Sequence, residues 1–462
     1  MTKGEAVPWY QAPKIDWEGD AHSIETALEA PQYDFIIVGA GIAGATAAYE
    51  LTNAGFRILL LEAEGEVATQ GSGNLQGMLY LKLSPYTPVQ NELLISGLHY
   101  VRALLHQLTE QSLLTRGIDW DDCGLIQLAR SPKEQEKQQQ LAQQYPDSLL
   151  QWVDQEQATQ LAGVSVTAGG LYFPTSGWVS PPAFVSALLN SAAVEPLCHK
   201  RIIEICQESQ GESTPLWCVH CEDGTHFWSK GVILAMAEGV AQLDPCCHLP
   251  FTVVRGQTTT IEQDNPLKMV ISGEGYIAPA KGGMIKKSTF GATFRRHQPG
   301  GYLTEEEHRE NIAMLTKSSP QLAALFGLDE EMEKDALEAK ALDGRAATRA
   351  SAMGSMPIVG PIANRSHFME DFAAIRADAK AVPDRPVPWE RGLYLTTAHG
   401  SRGMISAPIS AALLREYIVG APEERAQYTL TPLSDALKSA LHPNRFYYHA
   451  LRFNQSLEGE PS

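Results

Sequence analysis

Three glycine-bearing turns carry the residue types and spacings in this chain that can do chemistry. Gly39, Gly41 and Gly44 complete G-x-G-x-x-G. In that spacing the first glycine allows a tight turn, the second lets backbone approach a pyrophosphate, and the third lets a helix pack closely on a sheet. With Ile42 and Ala43 they open a helix whose N-H groups can meet the phosphate. Glu62 lies 23 residues past Gly39, about where a carboxylate accepts hydrogen bonds from an adenosine ribose, and Ala63 follows it. A second loop, Gly71, Ser72, Gly73, Asn74, Leu75, Gln76 and Gly77, is too polar for a core. Its backbone and the Asn74 and Gln76 amides can lie along the ribityl and pyrophosphate part of a dinucleotide, or it is a surface turn. The third turn is Ala398-His399-Gly400-Ser401-Arg402-Gly403-Met404. Followed by a helix, it presents a positive dipole end of the kind a reduced flavin needs beside its pyrimidine carbonyl. His399 and Arg402 there are catalytic candidates or supports of the loop.

The elements that position these turns follow from hydrophobic pattern. Phe35 to Val38 is a short apolar run suited to a parallel strand buried on both faces. Ala48 and Leu51 face the sheet from a helix that ends at Gly55, and Ile58 to Leu61 forms the next strand. An ordinary βαβ unit explains the glycine hexad alone; a dinucleotide cradle explains the full run from Tyr33 to Glu62. Gly231 to Ala237 reads as a buried strand returning beside the first, which puts Ala235 at the cofactor. Glu92 to Leu114 has helical period, and Pro132 to Tyr145 reads as a solvated helix. Asp119 to Leu128 and Gly170 to Phe173 are short strands, and Pro181-Pro182 opens a helix. Arg201 to Cys206 and Leu216 to Cys221 form a hairpin. Residues 251 to 294 alternate strands and turns, which predicts an antiparallel sheet. Thr304 and Glu307 have capping-box spacing before a helix through Leu315. Pro383, Pro386 and Pro388 make a loop before the strand Leu393 to Thr397.

The expected fold is therefore α/β: a discontinuous Rossmann-like dinucleotide-binding domain with a second α+β substrate domain on an antiparallel sheet. Residues 33–100, 176–247 and 340–420 are assigned to the first, and 101–175 with 248–339 to the second. Residues 1–32, with Pro8, Trp9, Tyr10 and Pro13, are a lead-in, and 421–462 a C-terminal tail. With 462 residues, 44% of them hydrophobic and 19% charged, the chain can bury a large core. A net charge of -18 excludes a generally basic surface, so any nucleic-acid contact is a local patch. No signal peptide and no membrane-length apolar run is present, so a cytoplasmic protein is expected. Seven scattered cysteines suit a reducing compartment. Strand alternation sends Cys218 and Cys221 of the C-x-x-C to opposite faces, and Cys246-Cys247 reads as packing, so no metal site is expected.

Further motifs carry a resemblance. Leu342-Asp343-Gly344-Arg345-Ala346-Ala347-Thr348-Arg349 precedes Met356-Pro357-Ile358-Val359-Gly360. With the βαβ signature and the A-H-G-S-R-G turn, these resemble the D-amino-acid oxidase and glycine oxidase superfamily. G-S-G-N-L-Q-G-M-L-Y at 71–80, D-D-C-G-L-I-Q-L at 121–128, G-G-L-Y-F-P-T-S-G-W at 169–178 and H-P-N-R-F at 442–446 are similar to the FAD-dependent half of the bifunctional MnmC tRNA-modifying enzymes. The resemblance runs from about Pro8 to Arg452. It implies FAD as cofactor and oxidative removal of the carboxymethyl group from 5-carboxymethylaminomethyl(-2-thio)uridine at the tRNA wobble position. That group is a glycine attached through its nitrogen, so hydride transfer from its methylene to the flavin leaves an imine that hydrolyses to aminomethyl uridine and glyoxylate. Dioxygen can reoxidise the flavin.

Arg345 matches the superfamily's carboxylate-binding arginine, whose planar fork holds a carboxylate by two hydrogen bonds; an ion pair with Asp343 is the alternative. The stretch from Arg349 to Pro357 is longer than in the family and lacks its acidic residue, which bears on substrate preference. The methyltransferase half has no counterpart here, so no methylation is expected of these residues, and whether a separate methyltransferase acts afterwards is left open by the sequence. Lys281, Lys286, Lys287, Arg295, Arg296 and His297 either form a basic rim for tRNA or are scattered across two faces. The competing functions are an oxidase of glycine, sarcosine or a D-amino acid, and a flavin-binding protein without turnover.

Overall fold

The computed structural model describes residues 9–10, 32–208, 215–282, 285–298, 300–328, 342–379, 381, 385–420 and 432–455. Pro8, Pro13 and Pro383 fall outside them. The chain divides into two units: Met1–Thr69, Val185–Thr252 and Ala350–Ser462 make the first, and Gln70–Phe184 with Val253–Arg349 the second. These borders differ from those drawn on the sequence. Residues 70–100, 176–184 and 342–349 belong to the second unit, while 248–252 and the described C-terminal stretch belong to the first.

The first unit is built on an eight-stranded sheet. Tyr33–Val38 lies between Ile58–Leu61 and His226–Leu234, parallel to both, with Phe35 opposite Ile58 and Gly231. These apolar strands are buried on both faces because helices cover the sheet, which is why they read as continuous runs. His226–Leu234 is shared along its length. Its first half pairs antiparallel with Leu216–Cys221, and its last three residues pair parallel with Trp389–Thr397. The returning strand thus starts five residues before the expected Gly231 and stops one short of Ala235.

Helices Ile42–Asn53 and Gly403–Val419 pack together on this sheet. Thr46 Oγ1 reaches Ala407 O at 3.5 Å, and a methyl on Gly403 would stand 3.6 Å from Ile42 Cγ2. Two turns 360 residues apart in the chain are therefore neighbours. The expected C-terminal tail contains helices Asp435–Leu441 and Arg445–Phe453, and Phe446, Tyr447 and Leu451 sit in the core among Ile358, Ile362 and Phe368. Trp9 of the lead-in stacks on Tyr448 at 5.5 Å, and its carbonyl accepts from Asn444 Nδ2 at 3.3 Å.

The second unit carries a nine-stranded sheet and a three-stranded one. In the larger, Thr252–Ile261 runs antiparallel to Ser288–Gly291, while Val270–Ser272 runs parallel to Leu125–Leu128. Leu125–Leu128 also pairs with Gly170–Phe173, and the apolar residues of these strands meet Ile312, Leu315 and Phe326 in one core. The helix expected from Glu92 runs Pro88–Glu110, one turn earlier, because Pro88 fits its first position. Thr304 Oγ1 caps Glu307 N at 3.3 Å as its spacing predicts. The return half of the capping box is replaced: Gln257 Oε1 accepts from Thr304 N at 2.8 Å, and the Glu307 carboxylate pairs with buried Arg255. Among the described residues no helix is long and apolar enough to cross a membrane.

Candidate functional site

In the first unit the G-x-G-x-x-G turn forms at the end of Tyr33–Val38. Gly39 has φ +99, a backbone region that side chains rarely enter, and a methyl there would lie 2.8 Å from Ala235 O. A methyl on Gly44 would strike the Gly39 carbonyl, so the helix can seat against the strand only without one. Gly41 is the N-cap, no side chain of its own caps the helix, and Ile42 and Ala43 open the first turn. Ala235 closes the turn from the neighbouring strand, its N donating to Val38 O at 2.9 Å.

Glu62 is buried beneath this turn and accepts from Ala40 N at 2.7 Å and Glu64 N at 3.0 Å. Each oxygen keeps a second lone pair for a hydroxyl donor. The carboxylate is thereby fixed at the cradle, with Ala63 half-buried beside it.

The third turn lies at the N-terminus of Gly403–Val419. A single helical turn, Gly400–Arg402, leads into it, and Arg402 is its N-cap without a side-chain cap. Ser401 is exposed, Gly400 and Gly403 are half-buried, and Met404 is buried. His399 is held from both sides: Nδ1 lies 3.0 Å from Ser406 Oγ and Nε2 3.2 Å from Thr396 Oγ1. Burial pulls its imidazole down to about 4, so it is neutral near pH 7. Ser406 Oγ in turn donates to Arg402 O at 3.1 Å. Both of its ring nitrogens are therefore engaged by hydroxyls of the same segment.

In the second unit the loop at 71–77 and the strand Asp343–Ser351 come together. Arg345 donates from Nη2 to Gln70 O, its guanidinium packs against Gly73, and a methyl on Gly71 would meet Thr348 O at 3.0 Å. Burial holds the Arg345 guanidinium below its ordinary range, and an anion beside it would reverse that shift. Asp343 Oδ1 accepts from Gly344 N at 2.7 Å. Gln76 is fully buried; its Nε2 donates to Pro279 O at 2.9 Å while its Oε1 has no hydrogen-bond partner among the described residues. An acceptor left in this state suits a ligand hydroxyl. Ser72, Asn74 and Gly77 are half-buried along the same loop.

Two residues were not singled out by the sequence. Arg349 is four positions after Arg345, hence on the same face of the strand. Burial raises the Tyr276 phenol, and the Arg349 charge works against that rise, which places the two groups within electrostatic reach. The i, i+4 spacing of the arginines was the available signal; Tyr276 had none. The basic cluster is divided: Lys287 pairs with Glu262 at 3.3 Å and Arg295 with Glu310, while Arg296 and His297 are exposed. Lys281 and Lys287 are backbone partners, and Lys286 is half-buried.

The residues of the first unit fit FAD: a turn that tolerates no Cβ, two neighbouring helix N-termini whose N-cap residues make no side-chain cap, and a buried carboxylate at the sequence position of a ribose-binding acid. Comparison with known proteins agrees. The chain is 38% identical over 442 residues to the tRNA 5-methylaminomethyl-2-thiouridine biosynthesis bifunctional protein MnmC of Pseudomonas paraeruginosa, covering 95% of this chain and 61% of that protein. The Pseudomonas fluorescens protein of the same name is 39% identical over 96% of this chain and 61% of its own length. The chain thus spans about three-fifths of these relatives. Among solved structures, glycine oxidase from Geobacillus kaustophilus superposes with a TM-score of 0.63 at 21% identity, over 86% of this chain and 98% of that one, which shows the shared fold. The family model described as FAD dependent oxidoreductase matches residues 34–417, and the chain belongs to that family.

Proposed function

We propose that this FAD-dependent oxidoreductase cleaves the carbon-nitrogen bond of 5-carboxymethylaminomethyl(-2-thio)uridine at the tRNA wobble position, giving aminomethyl uridine and glyoxylate. The observation that carries this reading is the 38% identity, maintained over 95% of the chain, to proteins named for tRNA 5-methylaminomethyl-2-thiouridine biosynthesis. When bound, FAD supplies the two-electron oxidant. Arg345 holds the carboxylate of the carboxymethyl group in its fork, and Arg349 with Tyr276 adds positive charge and a phenol on the same side of the strand. Fixing that carboxylate fixes the methylene next to the amine, which is the carbon to be oxidised. The turn at 400–404 offers its helix N-terminus to negative charge that develops during the reaction, and His399 keeps that turn in place. Arg402 belongs to this turn through its backbone. Dioxygen is the electron acceptor.

Arg296 and His297 are exposed neighbours in the second unit suited to phosphate contact, against an overall charge of -18. Binding to tRNA should therefore weaken steeply with salt. The test is nucleoside mass analysis of tRNA carrying the carboxymethylaminomethyl group after incubation with the protein. Conversion to aminomethyl uridine with release of glyoxylate is expected. Unchanged tRNA, with peroxide formed from free glycine, sarcosine or a D-amino acid, would assign the chain to small-amine oxidation instead.

A further inference from the structure

The hairpin Ile202–Glu208 and Leu216–Cys221, at one edge of the first unit's sheet, gathers four side chains that the proposed reaction does not use. Ile205, Trp217, Val219 and Cys221 enter the core of the unit. By strand alternation Cys206, Glu208, Cys218 and His220 project from the opposite face. Cys206 and Cys218 are direct partners across the ladder. Cys206 Sγ lies 3.6 Å from His220 Nε2, and one donor atom from each of the four residues lies within 4.8 Å of all the others. Trp228 pairs with Cys218 from the third strand, and its Nε1 donates to Glu208 Oε2 at 3.2 Å. This holds the carboxylate at the cluster although the residue is exposed. Cys218 is fully buried on this outward face.

We propose that Cys206, Glu208, Cys218 and His220 form a binding site for one Zn2+ ion. Two thiolates, an imidazole and a carboxylate are the donor types zinc takes, and four protein donors make a closed, structural site. Thiolates disfavour magnesium and calcium, which take oxygen donors. A tetrahedral zinc shell sets its donors roughly 3.3–3.8 Å apart, so the side chains close by about an ångström on binding. Rotation of the Glu208 and His220 side chains supplies most of that. The Trp228 hydrogen bond orients the Glu208 carboxylate, as outer partners of metal ligands commonly do. Cys221, the other half of the C-x-x-C, faces the core and takes no part.

The ion would join two strands whose neighbour, His226–Leu234, runs on into the Gly39 turn. It therefore staples the edge of the dinucleotide sheet without touching the substrate, and the proposal does not depend on which amine is oxidised.

The test uses the flavin-loaded protein, reduced with a phosphine, stripped with a chelator, and titrated with Zn2+ and separately with Co2+. One equivalent of Zn2+ is expected to bind and to raise the thermal midpoint. Co2+ should give tetrahedral thiolate bands to the red of the flavin absorption. Cys206→Ser and Cys218→Ser should each weaken binding by roughly a hundredfold or more, and Glu208→Gln by roughly tenfold, with Cys247→Ser unchanged. Should a cysteine variant fail to fold, Glu208→Gln and His220→Gln carry the test, with flavin content as the check on folding. Absence of binding below millimolar Zn2+, stoichiometric binding that survives Cys218→Ser, or a Cys206–Cys218 disulfide with no uptake after its reduction would each overturn the proposal.

Discussion

The guanidinium of Arg345 occupies the space in front of Gly73, where a single added methyl group would collide with its Cζ and both terminal nitrogens. The glycine is required at this place by a side chain from the strand Asp343–Ser351, and the two residues pack as one unit. Gly73→Ala should therefore mimic a mild Arg345 defect, raising KM for the amine substrate while FAD content stays the same. Arg345→Ala should keep the flavin and reduce turnover by on the order of 10²-fold or more, the loss of two charge-assisted hydrogen bonds. Arg345→Lys should recover little, because the fork is lost. Steady-state kinetics alongside flavin absorbance check all three; wild-type turnover in Arg345→Ala would remove the carboxylate role.

The cradle in the first unit makes a separate prediction. Gly39→Ala places a side chain at φ +99 and 2.8 Å from Ala235 O, a strain of about 1–2 kcal/mol before any ligand is considered. FAD affinity should fall by about tenfold or more. Gly55→Ala, where φ is +91 but nothing lies within 4 Å, should carry the backbone strain without the collision and keep its FAD. Fluorescence titration of flavin-stripped protein distinguishes the two.

Acid should destabilise the first unit before its carboxylates titrate. Burial lowers both His248 and His399 from 6.5 to about 4, and His442 falls further. Between those values the unfolded chain binds protons that the folded chain refuses. For His248 and His399 this contribution is complete above about pH 6.5 and is lost as pH falls toward 4, by at most about 3 kcal/mol each. Urea midpoints measured between pH 7.5 and 5.5 should drop. His399→Asn should flatten that dependence.

Arg445 is a structural strap. Its guanidinium donates to Pro357 O at 2.8 Å, Met356 O at 2.9 Å and Leu441 O at 2.7 Å, while Asn444 Oδ1 accepts from Ala363 N at 3.1 Å. The P-I-V-G strand is thereby tied to the C-terminal helices. Arg445→Ala leaves three carbonyls without this donor and should cost about 3–5 kcal/mol. Equilibrium unfolding should show that loss, with the kinetic constants of the surviving folded protein little changed.

Much of this was legible in the sequence because glycine spacing and apolar runs report local geometry. The strand Tyr33–Val38, the helix after Gly41 and the parallel return of His226–Leu234 all follow from pattern. Gly170–Phe173 was bounded to the residue. What pattern misses is non-local. No period along the chain reveals that Arg345 faces Gly73, that the Glu307 carboxylate pairs with Arg255 while Gln257 takes the Thr304 N-H, or that Cys218 meets Cys206 across a ladder instead of Cys221 along the strand. The H-P-N-R-F motif carried a resemblance, yet the stretch was expected to be a tail, because its packing against Ile358–Ala363 depends on tertiary contact alone. Domain borders moved for the same reason: the loop at 71–77 follows the dinucleotide unit in sequence but is held by Arg345 and Pro279.

The central claim is that this flavoprotein oxidises the glycine-like substituent of a tRNA base. Anaerobic mixing of the FAD-loaded protein with tRNA bearing 5-carboxymethylaminomethyl uridine tests it most directly, with the flavin absorption followed in time. The account predicts stoichiometric bleaching by that tRNA, none by tRNA lacking the carboxymethyl group, and near loss of bleaching in Arg345→Ala. Flavin that stays oxidised with the modified tRNA, or that bleaches only with free glycine, would contradict it.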